Sequence, residues 1–324
     1  MDKISAIVFS RDRAVQLKLF LDSVNKNAPA LFELNVIINY TDDDYKKAYD
    51  TIINDSQYSH VNFVVTEDIK EFILFTIKTG CDYSCFFLDD DIIYKEISFA
   101  DIVEPIEADD DVVCFSLRLG ENTTKCYTLG ADNVMHDMIK SVNTMKWDWT
   151  LHYLDFGYPF SMNGHIFRKN DIYKLVKKST FSNVEELEMA LYDYTEMFPR
   201  NMMVSYRDSR LVNIPCGRVQ VSLDDEMTMA LKESESRIRR KSMNNFFLTG
   251  SFINLESIDF SNIEGCHQKI NLGDFEVELE STSLDMVAIR KYGKRWDEIT
   301  KEERDEINTS INKIEEMVKN NKND

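Results

Sequence analysis

The sequence predicts an α/β fold: a mixed, mostly parallel sheet flanked by helices, with a carboxyl-terminal helical extension. Three observations point there. The first hundred residues hold four short apolar runs of strand length, at 4–9, 34–39, 61–65 and 84–88. Between the first two, Leu17, Phe20, Leu21 and Val24 recur at helical spacing over 14–24, and such alternation of strand and helix builds a largely parallel sheet. Near the end, Thr300 and Glu303 form a capping-box signature ahead of Ile307, Ile311, Ile314 and Val318, the apolar stripe of an amphipathic helix.

A fifth strand is expected at 112–117 and another at 164–167, with a Trp- and Tyr-rich stretch without clear periodicity over 147–160. Asn170 or Asp171 would cap a helix carrying Ile172, Leu175 and Val176. Val184, Leu187, Leu191, Tyr194 and Phe198 mark one face of a further helix that ends near Pro199, because proline cannot continue the hydrogen-bond ladder. Residues 223–241 are polar, either a helix or a mobile loop, and end in the basic patch Arg237, Arg239, Arg240 and Lys241. The divisions expected are 1–222 (in two halves, 1–118 and 119–222), a loop segment at 223–280, and the extension at 281–324.

Composition bounds the function. At 324 residues the chain is long enough to bury a core without disulfides, and 43 % hydrophobic residues is ordinary globular composition. A formal charge of −19 would repel nucleic acid and anionic lipid, so no nucleic-acid partner is expected. None of the ten glycines spells GxGxxG or GxxxxGK[ST], which excludes dinucleotide and P-loop sites by motif. The six cysteines, including Cys81 and Cys85, show neither a CxxC pair nor zinc-finger spacing and read as reduced, mostly buried thiols. The apolar start at 4–9 is too short for a signal peptide and no run approaches eighteen apolar residues, so a cytoplasmic chain is expected.

In open α/β sheets, ligands sit where strands end at their carboxyl tips. Four loops qualify: Ser10-Arg11-Asp12-Arg13, Tyr40-Thr41-Asp42-Asp43-Asp44, Thr66-Glu67-Asp68 and Asp89-Asp90-Asp91. The last places three carboxylates directly behind Phe86-Phe87-Leu88, where each raises the others' pKa unless a cation is present. If the chain is extended there, Asp89 and Asp91 face one way and Asp90 the other. Oxygen ligands suit Mg2+ or Mn2+, whose shell phosphate oxygens usually complete; a solvated acidic turn is the competing reading. In the first loop, Arg11, Arg13 and backbone amides can hold a diphosphate, although arginines at helix starts are also ordinary surface residues.

The combination of an Arg-bearing first loop, an acidic second loop and an Asp-x-Asp after the fourth strand resembles the nucleotide-sugar half of GT-A glycosyltransferases. From Ile4 to about Lys269 the chain is similar to bacterial family-2-like members. The motifs are Phe9-Ser10-Arg11-Asp12-Arg13-Ala14-Val15-Gln16-Leu17, Leu88-Asp89-Asp90-Asp91, Asn213-Ile214-Pro215-Cys216-Gly217-Arg218-Val219-Gln220 and Gly265-Cys266-His267-Gln268. Gly217 stands where related members often carry Asn. The resemblance implies a GT-A-like fold in which Ser10, Arg11, Arg13 and Asp42 or Asp43 contact the nucleotide. Asp89 would be a ribose or metal contact, Asp90 a further contact to the bound donor, Asp91 a direct metal ligand, and His267 would supply a late metal ligand. It also implies a role in bacterial surface-polysaccharide assembly.

The acceptor hydroxyl needs a base. Glu188, four residues after Val184 and three before Leu191, lies beside the apolar face of its helix, where partial desolvation would raise its pKa. The resemblance likewise places an acidic residue after a leucine on the acceptor-side helix; Glu185 is the reserve. His165 lines the acceptor pocket or packs. Trp147, Trp149, Tyr153 and Tyr158 either stack on sugar rings or belong to the core. The basic patch at 237–241 could close over a diphosphate, touch the phosphate of a lipid-linked acceptor at a membrane surface, or form a solvated face. The reading is a metal-dependent, inverting transferase moving a sugar from a UDP-type donor to a saccharide hydroxyl. Its rivals are a nucleotidyltransferase and a non-catalytic saccharide-binding protein; self-association stays open.

Overall fold

The structure is a computed structural model, and it describes residues 3–215, 239–272 and 300–305. The chain divides into two compact units, one of Met1–Cys216 with Asn254–Ile270 and one of Gly217–Ile253 with Asn271–Asp324. The expected divisions at 222 and 280 fall outside the described residues, as do Gly217 to Gln220, Arg237 and the helix positions Ile307, Ile311, Ile314 and Val318.

The first unit is the predicted α/β fold. Its strands are β1 (Ile4–Arg11), β2 (Phe32–Asn39), β3 (Asn62–Val65), β4 (Tyr83–Leu88), β5 (Asp91–Ile93), β6 (Val112–Ser116), β7 (Lys125–Cys126) and β8 (Ala131–Asp132). There follow β9 (Ile139–Lys140), β10 (Thr144–Asp148), β11 (His165–Arg168), β12 (Met202–Tyr206) and β13 (Leu211–Asn213). The helices are α1 (Ala14–Asn27), α2 (Asp43–Ile53), α3 (Ile69–Thr79), α4 (Phe99–Glu107), α5 (Lys169–Lys178) and α6 (Val184–Tyr192).

Nine strands form one sheet in the order β3-β2-β1-β4-β11-β6-β12-β10-β9. β1 to β4 are mutually parallel, β6 and β12 share their direction, and β11 and β10 run opposite. Strand β1 lies between β2 and β4, so the winding order reverses between β1 and β4, and their carboxyl ends open a crevice there. Because β6 runs the same way, its carboxyl end and the amino end of β11 reach the same edge. β1 is buried from Ile4 to Ser10, and Leu17, Phe20, Leu21 and Val24 of α1 are buried as the periodicity required. At 25 cal/mol per Å2, side chains such as these each contribute about 1.5–3 kcal/mol.

Several local expectations change. The acidic second loop is largely a helix start: Asp42 accepts from the amides of Asp44 and Tyr45 and caps α2, whose first residue is Asp43. Asp68 caps α3 in the same way, accepting from Glu71 N at 2.9 Å. Neither Asn170 nor Asp171 caps α5; the chain enters the helix directly from β11 through Arg168, so both fall inside the first turn. Helix α6 stops at Tyr192 instead of running to Phe198. Thr195 Oγ1 donates to the Tyr192 carbonyl at 2.7 Å, which satisfies it outside the helix, and a 3-10 turn over Thr195–Met197 still brings Tyr194 and Phe198 against the core.

The aromatic stretch resolves mostly into core. Trp147 and Trp149 are buried, and their indole N–H groups donate to Phe156 O at 2.9 Å and Arg200 O at 3.1 Å, so neither face is open to a sugar. Cys85, Cys114, Cys126 and Cys266 are buried and unpaired by disulfide, as expected of reduced thiols. In the second unit, Arg239, Arg240 and Lys241 open a helix over 239–248, and Thr300 and Glu303 form the predicted capping box with reciprocal bonds of 2.7 and 3.2 Å. Among the described residues, no helix is long and apolar enough to cross a membrane.

Candidate active site at the carboxyl edge of the sheet

The crevice between β1 and β4 is filled by a hydrogen-bonded chain. Ser10 Oγ donates to Asp89 Oδ2 at 2.8 Å and lies 2.7 Å from Tyr49 OH, while Arg13 N donates to Tyr49 OH at 3.0 Å. Ser10 has one proton to give, so the Tyr49 hydroxyl must donate to Ser10, and the direction of the chain is set from Arg13 N to the carboxylate. Burial pushes the Tyr49 phenol up, which keeps that donor protonated. The loop is shaped by Asp12, a non-glycine residue at φ 56°. Its carboxylate accepts from Thr41 N at 2.8 Å and Thr41 Oγ1 at 3.0 Å and so ties the first loop to the end of β2.

Arg13 then reaches over the acidic loop. Its Nη1 lies 3.1 Å from Asp89 Oδ1 and its Nη2 2.5 Å from Asp90 Oδ2, all three side chains being buried. The alternation expected of an extended chain therefore fails. Asp89 and Asp90 form a turn between β4 and β5, and the turn points both carboxylates at one guanidinium.

Asp91 opens β5 and is wholly buried. It accepts from Leu88 N at 2.9 Å, Asn163 Nδ2 at 2.8 Å and Asn213 Nδ2 at 3.0 Å, and the same Asn213 amide donates to Asp90 Oδ1 at 2.6 Å. Each of the six carboxylate oxygens in the trio thus carries a protein donor. Burial raises Asp89 to about 7, against the pull of Arg13. Burial, joined by the charge of Asp90, raises Asp91 to about 8. A hard divalent cation would stabilise the ionised form of these carboxyls, but it would compete with Arg13 for Asp89 and lie beside the amide donors of Asp91. Among the described residues no three acidic, histidine or cysteine side chains converge as a ready-made cage, so such an ion would lean on ligand phosphate oxygens for its shell.

The late motif joins the same site. Asn213 N donates to Cys266 O and Gln268 N to Asn213 O, which zips His267 alongside Asn213. His267 Nδ1 lies 3.2 Å from Asn213 Oδ1, and its Nε2 lies 3.1 Å from Arg118 Nη1. Arg118, 2 % exposed, follows β6 and also pairs with Asp155 at 3.5 Å.

Glu188 stands on α6. The residue as a whole is half-buried, whereas its carboxylate is surrounded by protein and accepts from Met162 N at 3.1 Å. Burial raises its pKa, and the Met162 amide and the Arg118 charge pull it back. Asn163, the next residue after Met162, holds Asp91, so two consecutive residues carry the two carboxyls into one neighbourhood. Gly164 makes this possible: at φ 70° its amide bonds Phe86 O, and a Cβ there would lie 2.9 Å from Leu211 Cδ1.

The structure thus brings together Ser10, Arg13, Asp89, Asp90, Asp91, Glu188 and His267. Arg11, Asp42, Asp43 and Glu185 are exposed at its periphery. His165 is fully buried, its pKa lowered to about 3 by burial and the Arg118 charge, and it packs instead of lining an open pocket. Sequence reasoning missed Tyr49, Arg118, Asn163 and Asp155, and it did not foresee Asn213 as a shared amide. Arg118 carried a signal: it is a lone charge between Leu117 and Leu119 directly after the fifth predicted strand, where the carboxyl-tip rule applies again.

No family model matches the chain, and no curated protein matches it. Solved structures do. Staphylococcus aureus TarS is 14 % identical with TM-score 0.40, covering 88 % of this chain and 48 % of its own, so the chain spans about half the length of that protein. The TarS 1-349 structure is 15 % identical at TM-score 0.40, covering 77 % of this chain and 75 % of that one. Mannosyltransferase PcManGT from Pyrobaculum calidifontis, in complex with GDP-Man and Mn2+, is 10 % identical at TM-score 0.40, with 95 % and 79 % covered.

Proposed function

We propose that the chain is a metal-dependent glycosyltransferase that moves a sugar from a nucleoside-diphosphate donor, UDP by expectation, to a saccharide hydroxyl. The observation that carries this reading is the loop at 162–163, which holds Glu188 and Asp91 on consecutive residues beside the β1/β4 crevice. An acid-base group and an acidic cluster suited to a diphosphate-bound cation meet at the sheet edge where α/β folds bind nucleotides.

In this reading Ser10 and Arg13 orient the nucleotide and diphosphate. Glu188 takes the proton of the acceptor hydroxyl as its oxygen bonds to the anomeric carbon, and the carbon–oxygen bond to the diphosphate breaks with its electron pair leaving on phosphate oxygen. A single displacement of this kind inverts the anomeric centre. Mn2+ or Mg2+, held by Asp89 and Asp91, would supply charge that offsets the leaving diphosphate. His267, whose Nε2 lies 3.1 Å from Arg118 and whose Nδ1 lies 3.2 Å from Asn213, would orient Asn213 toward the aspartates that hold the ion. Glu185, exposed, stays the reserve candidate, and Arg11, Asp42 and Asp43 would meet the donor from the rim.

A thermal-shift panel of UDP, GDP, CDP and their sugars, with and without Mn2+, tests this, because ligand bound to the native state raises Tm by mass action. A metal-dependent shift with one base supports it. Release of pyrophosphate from a nucleoside triphosphate would replace it with a nucleotidyltransferase. Saccharide binding without nucleotide binding would leave a lectin-like protein.

A further inference from the structure

We propose that Arg118 is a positioning residue: it fixes the tautomer of His267 and, through it, the orientation of the one amide that serves both Asp90 and Asp91. The proposal rests on the reading of the aspartate trio and Glu188 as the two sides of a transfer site.

The assignments follow from a single obligate donor. A guanidinium has five N–H groups and no acceptor, so the His267 Nε2 that lies 3.1 Å from Arg118 Nη1 must offer its lone pair. In a neutral ring the proton then sits on Nδ1, which must donate to the Asn213 atom 3.2 Å away, and that atom must be the carbonyl oxygen. The Asn213 NH2 group is thereby turned toward the acidic loop, where its two protons meet Asp90 Oδ1 at 2.6 Å and Asp91 Oδ1 at 3.0 Å. A flipped amide would set its oxygen against both carboxylates. Arg118 at one end of the series and the two aspartates at the other thus require the same orientation of the Asn213 amide.

Arg118 is itself held. It follows β6, is 2 % exposed, and pairs with Asp155, whose other oxygen accepts from Asn133 Nδ2 at 3.1 Å. Its Nε is buried without a hydrogen-bond partner among the described residues, an unmet donor in the middle of a polar cluster. Its charge also acts on the Glu188 carboxyl, so one guanidinium touches the relay toward the aspartates and lies within electrostatic reach of the acceptor-side base. A lysine has the charge but not the planar fork, and could not serve His267 and Asp155 with the same geometry.

The test is long-range 1H–15N correlation of the histidine rings in the 15N-labelled chain, without metal and without substrate. The wild type should show His267 as the Nδ1–H tautomer, with a scalar coupling across the Arg118 Nη1–H···Nε2 bond. Arg118→Lys and Arg118→Gln should lose that coupling and mix the tautomers, at unchanged circular dichroism. The Nε2–H tautomer in the wild type, absence of the coupling, or a tautomer indifferent to both substitutions overturns the proposal. If neither variant folds, the wild-type coupling alone decides it.

With donor and acceptor in hand, Arg118→Lys should lower kcat about 10- to 100-fold, as loss of an orienting partner does, with a much smaller change in donor KM. The spectrum needs no substrate, so the two readings fail separately. A chain that binds no nucleotide yet shows the fixed tautomer loses the transferase and keeps the relay. A nucleotide-binding chain with a freely exchanging His267 does the reverse.

Discussion

Ser10 Oγ donates to Asp89 Oδ2 at 2.8 Å, a bond between residues 79 positions apart that joins the carboxyl ends of two neighbouring parallel strands. It makes the β1/β4 crevice a single polar unit, in which the serine is held from behind by Tyr49 and the aspartate from the front by Arg13.

Asp89→Asn should therefore act on binding more than on folding. Arg13 keeps Asp90 as a partner, so the stability lost should be about 1–3 kcal/mol, read from urea midpoints. The Mn2+-dependent nucleotide shift should vanish in the same variant. A full shift would show that the trio does not touch the donor.

Glu188→Gln should lower kcat about 100-fold or more while leaving the melting temperature close to that of the wild type. Only the ionised carboxylate can take a proton, so the wild-type rate should rise with pH through a value above the 4.5 of a free glutamate, and that limb should be missing in the variant. The raised pKa also means that ionising Glu188 costs the folded state. Its stabilising contribution is complete below 4.5 and is lost as pH rises through the folded value. Glu185→Gln, on the exposed face, should leave the rate unchanged.

Acid should find His165. Its folded pKa of about 3 lies below the ordinary 6.5, so the unfolded chain binds a proton that the folded chain refuses, and stability falls as pH drops from 6.5 toward 3. At pH 5 the loss is about 2 kcal/mol. His165→Asn should flatten that part of the stability curve in urea titrations at stepped pH. An unchanged slope would place the acid sensitivity elsewhere.

Backbone geometry gives a fourth expectation. Gly164→Ala must hold alanine at φ 70° with its Cβ 2.9 Å from Leu211, and should cost about 2–4 kcal/mol and disturb Asn163 and Asp91 together. Asp12→Ala loses both bonds to Thr41 at φ 56° and should cost about 2 kcal/mol, Asp12→Asn less, since asparagine tolerates that conformation and can still accept.

The strands at 4–9 and 84–88 were readable because a buried parallel strand is a plain apolar run, and α1 because its apolar spacing is undisturbed. Helix α2 was hidden behind its own cap: Asp42 to Asp44 reads as an acidic ligand loop until the amides that Asp42 accepts are seen. Strand β10 was lost in the aromatic stretch, where Trp147 and Trp149 signal core and sugar platform equally well until their indole N–H partners are known.

By itself the sequence determined the layer architecture, the polar loops at the strand tips and the residue types available there, because periodicity and loop position are local properties of the chain. Only the tertiary structure decided which of those loops share a neighbourhood. The turn at Asp89–Asp90, the left-handed Gly164, and the zipping of Asn213 to His267 each depend on contacts between distant segments. Arg118 entered the site for the same reason: a buried guanidinium is placed by the partners that offset its desolvation, and those partners lie as far as 149 residues away along the chain.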